Sequence, residues 1–340
     1  MALDGFGAEA GHEALAEGAR LAAADGIALR VFGPAERLGL DGVEGVEVIP
    51  TEEWISNEQD AVSAVRAQPE ASIVRAAADV AAGGSEAMVS VGSTGAAMAA
   101  ATFGLRRLKG VQRPALAVQV PVPGRTVLFL DVGANVVVRP RHLVQFAFLG
   151  AAFAEAVLGL RSPRVGLLSV GEEAGKGAPE VVAAHELLSA AEGIEFVGNV
   201  EGRDIPGGGA DVVVTDGFTG NVALKLMEGT ARTVTSAIRD AARSNPVSAL
   251  GGLLMRPALG ALRRDLDPDT TGGAILLGLR RMAVVGHGSS GPEGVANAVR
   301  LAARSVEVGA VEQTSALLAR GGANRGALAG SEAEAATDAA

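Results

Sequence analysis

Short apolar, β-branched runs alternate along this chain with alanine- and leucine-rich stretches of helical spacing, and that alternation limits its possible folds more than any other feature. The predicted strands are Ala28–Phe32, Val46–Ile49, Ala87–Val91, Ala115–Val120, Thr126–Leu130, Val165–Val170, Ile194–Val197, Val212–Thr215 and Met282–Val285. Predicted helices include His12–Asp25, Asn57–Ala67, Ser72–Ala82, Ala96–Leu108, His142–Leu160, Pro179–Ala191, Gly220–Ser244 and Pro292–Val308. Alternation of this kind implies parallel strands, right-handed crossovers and helices on both faces. The expected fold is α/β, a Rossmann-like open and mostly parallel sheet. Residues 1–320 read as a single unit, and 321–340 as a disordered Gly/Ala/Glu tail.

Six predicted strands run directly into a glycine-bearing polar motif. These begin at Gly92-Ser93-Thr94-Gly95, Asp131-Val132-Gly133-Ala134-Asn135, Gly171-Glu172-Glu173, Gly198-Asn199, Asp216-Gly217 and Gly286-His287. Open α/β sheets bind ligands at the carboxyl ends of their strands. Glycine there lets backbone N–H groups approach an anion, and the following helix offers its positive end. One such motif is an ordinary turn; six, carrying Asp, Asn, Lys, Arg, His and Ser, predict a shared polar, anion-binding cleft.

Other classes are excluded. With no cysteine, the chain has no disulfide scaffold, thiol nucleophile or thiolate metal site. A net charge of -10 argues against a nucleic-acid partner. No P-loop, no G-x-G-x-x-G opening the first βα unit and no G-x-S-x-G elbow is present. The histidines at 12, 142, 185 and 287 lack metal-ligand spacing, so neither metal nor cofactor is assigned. No targeting segment is visible, and a cytoplasmic protein is expected. The apolar stretch Leu143–Leu160 reads as a buried or subunit-interface helix.

Lysine is scarce. Only Lys109, Lys176 and Lys225 stand against 26 arginines, a bias that gives each retained lysine functional weight against chance retention.

Several motifs together resemble the phosphate acyltransferase family PlsX. They are Ser90-Val91-Gly92-Ser93-Thr94-Gly95-Ala96, Arg113-Pro114-Ala115, Asp131–Val136, His142–Ala147, Pro163–Leu168, Gly171-Glu172-Glu173 with Lys176-Gly177, Gly198–Ile205, Asp216-Gly217-Phe218 with Gly220-Asn221-Val222, and Gly286–Ser290. The match is collinear from about residue 4 to 310. The resemblance implies transfer of a fatty acyl group from acyl carrier protein (ACP) to inorganic phosphate. The acyl phosphate product feeds a glycerol-3-phosphate acyltransferase in phospholipid synthesis. It further implies an isocitrate dehydrogenase and phosphotransacetylase-like fold, a homodimer, and peripheral contact with the inner face of the cell membrane. The chain departs from the family at Ala8, Glu9 and Ser93, and at Gln68 and Pro69, where the family has lysines. A specialised-pathway paralogue, an acyl-CoA-using phosphotransacetylase-like enzyme and a non-catalytic acyl-ACP-binding homologue are the alternatives.

The reaction requires a site that binds phosphate, holds it against a thioester carbonyl, stabilises an oxyanion and assists the leaving sulfur. Lys176 is the first candidate for phosphate or oxyanion, against a surface charge in a turn. Asn221 can donate to the oxyanion or cap a helix. His287 can protonate the thiolate or simply hydrogen-bond within its loop. Arg203 can grip phosphate or pair with a carboxylate. Gly92, Ser93, Thr94, Gly95, Asp131, Asn135, Asp216 and Gly217 complete the expected substrate-binding set, with Asp131, Asn135 and Asp216 read chiefly as loop supports.

Between Asn245 and Asp265, the apolar Leu250, Leu253 and Leu254 fall at helical spacing beside Arg256, Arg263 and Arg264, with Pro257 breaking the run. This predicts a protruding helical hairpin over about 245–268. Core or dimer packing, a membrane surface and acidic ACP are all open as its partner.

Overall fold

The computed structural model describes residues 1–265 and 268–323, with the side chains at 259, 261–265 and 268 left out. Among these the chain forms strands β1 (Ala2–Asp4), β2 (Leu29–Gly33), β3 (Val46–Pro50), β4 (Ala87–Ser90), β5 (Ala115–Val122), β6 (Arg125–Leu130), β7 (Arg164–Leu168), β8 (Glu195–Val200), β9 (Val212–Val214), β10 (Ala274–Leu277) and β11 (Met282–Val285). The helices are α1 (Gly11–Ala24), α2 (Ala35–Leu38), α3 (Ala61–Ala67), α4 (Ser72–Ala82), α5 (Thr94–Gly104), α6 (Pro140–Ala156), α7 (Pro179–Ser189), α8 (Asp204–Gly207), α9 (Gly217–Arg243), α10 (Pro246–Asp265), α11 (Pro292–Glu307) and α12 (Ala310–Arg320).

The strands form one sheet in the order β3-β2-β1-β4-β11-β10-β5-β6-β9-β7-β8. Strands β4, β6, β9 and β11 are almost wholly buried, as expected of strands covered on both faces. The sheet is mostly parallel, but β10 runs antiparallel to β11 and β5, and β5 antiparallel to β6. The cause of the β5–β6 reversal is local. Pro123-Gly124 forms the two-residue turn between Val122 and its partner Arg125, and Gly124 has φ +80°. Proline then glycine with positive φ is the chemistry of a type II turn.

This reversal divides the sheet. Strands β3, β2, β1, β4 and β11 point their carboxyl ends to one edge; β6, β9, β7 and β8 point theirs to the other. The six glycine-bearing motifs therefore do not share one edge within the chain, contrary to the single cleft expected. Strands β4 and β6 are four steps apart in the sheet, roughly 19 Å at ~4.8 Å per step.

Helix α6 is buried from His142 to Ala154, with Phe146, Phe148 and Phe153 wholly enclosed. Its apolarity therefore serves the chain's own core, not a subunit interface. Among the described residues, no helix is long and apolar enough to cross a membrane. No hairpin forms within 245–268: α10 is one helix that continues through Pro257, and it packs against α9. A proline removes one backbone hydrogen bond without obliging a long helix to stop. Leu250, Leu253 and Leu254 are exposed, which rules out packing in this chain's core. Arg256 is also exposed, while the side chains of Arg263 and Arg264 lie outside the described residues. Chain order persists past the expected tail boundary: Ala323 is buried, and its carbonyl accepts from Gln145 Nε2 at 2.9 Å. Residues 324–340 lie outside the described residues.

Candidate active site

Three of the six motifs follow β6, β9 and β7, and a fourth begins inside β8; these strands are adjacent in the sheet and end at the same edge. The foundation of this edge is Asp131, directly after β6 and fully buried. Its carboxylate accepts from the backbone N–H of Leu116 (3.0 Å), Gly133 (3.1 Å), Ala134 (2.9 Å) and Asn135 (2.7 Å) and from Asn135 Nδ2 (2.8 Å). Burial pushes the Asp131 pKa up, against the pull of these donors. Asn135 Nδ2 also donates to the Pro114 carbonyl at 2.7 Å, tying the loop to β5. Both oxygens of Asp131 are thus committed to holding the loop, which leaves no part of this carboxylate for substrate.

Helix α9 docks directly on that loop. Gly217 N–H donates to the Asn135 carbonyl at 2.7 Å, and a Cβ on Gly217 would come within 2.8 Å of Asn135 N. Asp216 caps α9, accepting from the N–H of Phe218 and Thr219, each at 2.9 Å. The capping alternative raised for Asn221 thus belongs to Asp216, because the helix begins three residues earlier than its spacing predicts. Asn221 lies one turn inside α9, exposed, and its side chain makes no hydrogen bond among the described residues.

Lys176 rides on the loop after β7. The loop turns where Lys176 N–H donates to the Glu173 carbonyl at 3.0 Å. The Lys176 carbonyl accepts from Ser169 Oγ at 2.8 Å, and its stem lies against Gly171, where a Cβ would be 3.2 Å from Lys176 Cγ. The ammonium is exposed and forms no ion pair among the described residues. Arg203, after β8, pairs with Glu172 (3.4 Å) and Glu201 (3.3 Å), not with Asp204. Being 70% exposed, these pairs hold little energy.

The remaining motifs lie on the other edge. Ser93 caps α5 through a long 3.5 Å contact with Ala96 N, and Gly92 packs against Gly7. Thr94 and Gly95 form the first turn of α5. His287 is exposed, with Nδ1 2.7 Å from Ser289 Oγ in its own loop. Within one chain His287 does not meet Lys176 or Asn221.

Two groupings were not singled out in the sequence. Asp4, at the end of β1, accepts from Ser72 Oγ (2.6 Å) and Ser90 Oγ (2.8 Å), beside a stacked Phe6–Trp54 pair. Burial pushes its carboxyl up to about 6. The other is Asn199, expected in a loop after a strand but found inside β8, which starts and ends later than its apolar run suggests. Among the described residues, no group of three or more His, Asp or Glu side chains is arranged to hold a metal.

Comparison with known proteins identifies the family and the fold. Residues 1–313 match the family described as fatty acid synthesis protein. The chain is 46% identical over 274 residues to a phosphate acyltransferase of Elusimicrobium minutum, covering 81% of this chain and 80% of that protein. It is 45% identical over 314 residues to a phosphate acyltransferase of Thermus thermophilus, covering 91% and 95%. Its fold resembles that of a phosphotransacetylase from Streptococcus pyogenes, with a TM-score of 0.59 at 17% identity, covering 90% of this chain and 94% of that one. The chain therefore belongs to the fatty acid synthesis protein family, that of the phosphate acyltransferases, as its motifs implied.

Proposed function

We propose that this protein transfers a fatty acyl group from acyl-ACP to inorganic phosphate, with the edge formed by β6, β9, β7 and β8 as its reacting site. A phosphate oxygen attacks the thioester carbonyl, forming a C–O bond and a tetrahedral oxyanion. Collapse breaks the C–S bond, releasing acyl phosphate and the carrier thiolate, which takes up a proton. Phosphate is already anionic near neutral pH, so no strong protein base is needed. The protein's task is to position one anion against a neutral thioester carbonyl and to stabilise the oxyanion that forms.

One observation carries the assignment. Lys176 and Asn221, exposed and without a polar side-chain partner among the described residues, project from segments that follow adjacent strands, while Asp131 and Asp216 are engaged in holding the loop and helix beside Asn221. Lys176 supplies a positive charge to phosphate or oxyanion, and Asn221 an amide donor. Arg203 can exchange its weak carboxylate pairs for a phosphate oxygen.

The assembly is part of the proposal. Phe218, Val222 and Leu226 form an exposed apolar stripe along the first turns of α9, suited to a second copy of the chain. Val247, Leu250, Leu253 and Leu254 expose a second apolar group at the start of α10, suited to a membrane surface with Arg256 toward anionic lipid. A site at the membrane would hand acyl phosphate to a glycerol-3-phosphate acyltransferase there.

The test is acyl phosphate formation from palmitoyl-ACP, with phosphate present or omitted and palmitoyl-CoA as the competing donor. Phosphate-dependent product from the carrier-bound donor supports the reading. Product from palmitoyl-CoA alone would transfer it to the phosphotransacetylase-like alternative.

A further inference from the structure

The loop carrying Lys176 is held from outside itself. Asn199 in β8 is 6% exposed, and its Nδ2 donates to the Glu173 carbonyl at 2.8 Å. The same atom lies 3.5 Å from the Lys176 carbonyl, a weak second contact. Because Nδ2 faces two carbonyls, Oδ1 is the acceptor facing His185 Nδ1 at 2.9 Å. That nitrogen must carry a proton. The His185 ring is fixed in turn against Phe196, with centroids 5.2 Å apart and planes at 74°.

Glu173 is the acceptor of the turn that presents Lys176, so one amide sets the carbonyl around which the turn closes. We infer that Asn199, oriented by His185, is the positioning residue that fixes the Lys176 loop for acyl transfer. The inference rests on the acyl-transfer reading for the role of Lys176, but not for the clamp itself. Asn199 touches no reacting atom. It acts by keeping the ammonium in register with Asn221, and a misplacement of about 1 Å at a reacting centre can cost ~100-fold in rate.

Asn199→Asp keeps the shape and the acceptor toward His185 while replacing the donor toward Glu173 with an oxygen. Two measurements separate the claims. The first is amide exchange at Lys176 in the intact protein, where Asn199→Asp should lose most of the protection seen in wild type. Unchanged protection overturns the clamp whether or not the protein makes acyl phosphate. The second is a double-mutant cycle on kcat for acyl phosphate formation. Asn199→Asp should lower kcat about 10- to 100-fold in wild type but less than about 2-fold in a Lys176→Ala background. Equal losses in both backgrounds would overturn the positioning role. His185→Phe keeps the ring and removes only the donor to Asn199. It should show the same non-additivity with a smaller loss, and it stands in if Asn199→Asp does not fold. A wild type that makes no acyl phosphate removes the catalytic reading and leaves the clamp to the exchange measurement.

Discussion

Gly220 of α9 lies so close to Asp131 that a Cβ on it would run into the Asp131 carbonyl oxygen. The contact joins the helix bearing Asn221 to the loop after β6 without a side chain between them. Gly220→Ala must push α9 away from that loop. Overpacking of this kind costs roughly 1–3 kcal/mol. The expected result is a lower urea midpoint at unchanged m-value and a larger loss in kcat than the stability change explains. Wild-type midpoint and activity would show that the close approach is dispensable.

The second edge titrates. Asp4 carries a carboxyl raised from 3.8 to about 6 by burial, so the folded chain binds its proton more tightly than the unfolded chain. Its contribution to stability therefore grows as pH falls through 6, is complete below 3.8, and is lost as pH rises past 6. Subtracting the stability of Asp4→Asn from that of wild type isolates this part from the other carboxylates. The difference should shift in favour of wild type by roughly 2 kcal/mol between pH 7 and pH 4. A flat difference would mean that folding leaves the Asp4 pKa unchanged.

The exposed leucines of α10 predict lipid dependence. Replacing Leu253 and Leu254 with Glu should abolish sedimentation with anionic vesicles and leave activity in detergent-free solution within about 2-fold. Undiminished vesicle binding would remove the membrane from the account and leave a second copy or ACP as the partner of this surface.

Much of this architecture is legible in the residues, and the exceptions have physical causes. The apolar runs from Ala87, Thr126, Val165 and Met282 locate central strands because burial on both faces leaves a continuous signal. Strand β1 has only three residues, too few for any period. Strand β10, four residues before β11, is absent from the expected strands; its four residues are a short run between glycines. The direction of half the sheet hung on Pro123-Gly124, a turn signal present in the sequence but outweighed by the expectation of crossovers. That one turn separates His287 from Lys176. The capping of α9 was displaced for a related reason: Asp216 and Asn221 are both good caps, and only the docking of Gly217 and Gly220 on the Asp131 loop decides between them. Asn199 was quoted only as part of a motif, since nothing in a single sequence says that its amide reaches across to Glu173.

The central claim is phosphate-dependent acyl transfer that relies on Lys176, and hydroxylamine trapping of acyl phosphate tests it most directly. Purified wild type with palmitoyl-ACP and phosphate should form acyl hydroxamate only when phosphate is present. Lys176→Ala, matched in melting temperature, should lose about 100- to 1,000-fold in kcat, the usual cost of one oxyanion donor. Equal rates in the two proteins, or no product from folded wild type with any acyl-ACP, would contradict the account.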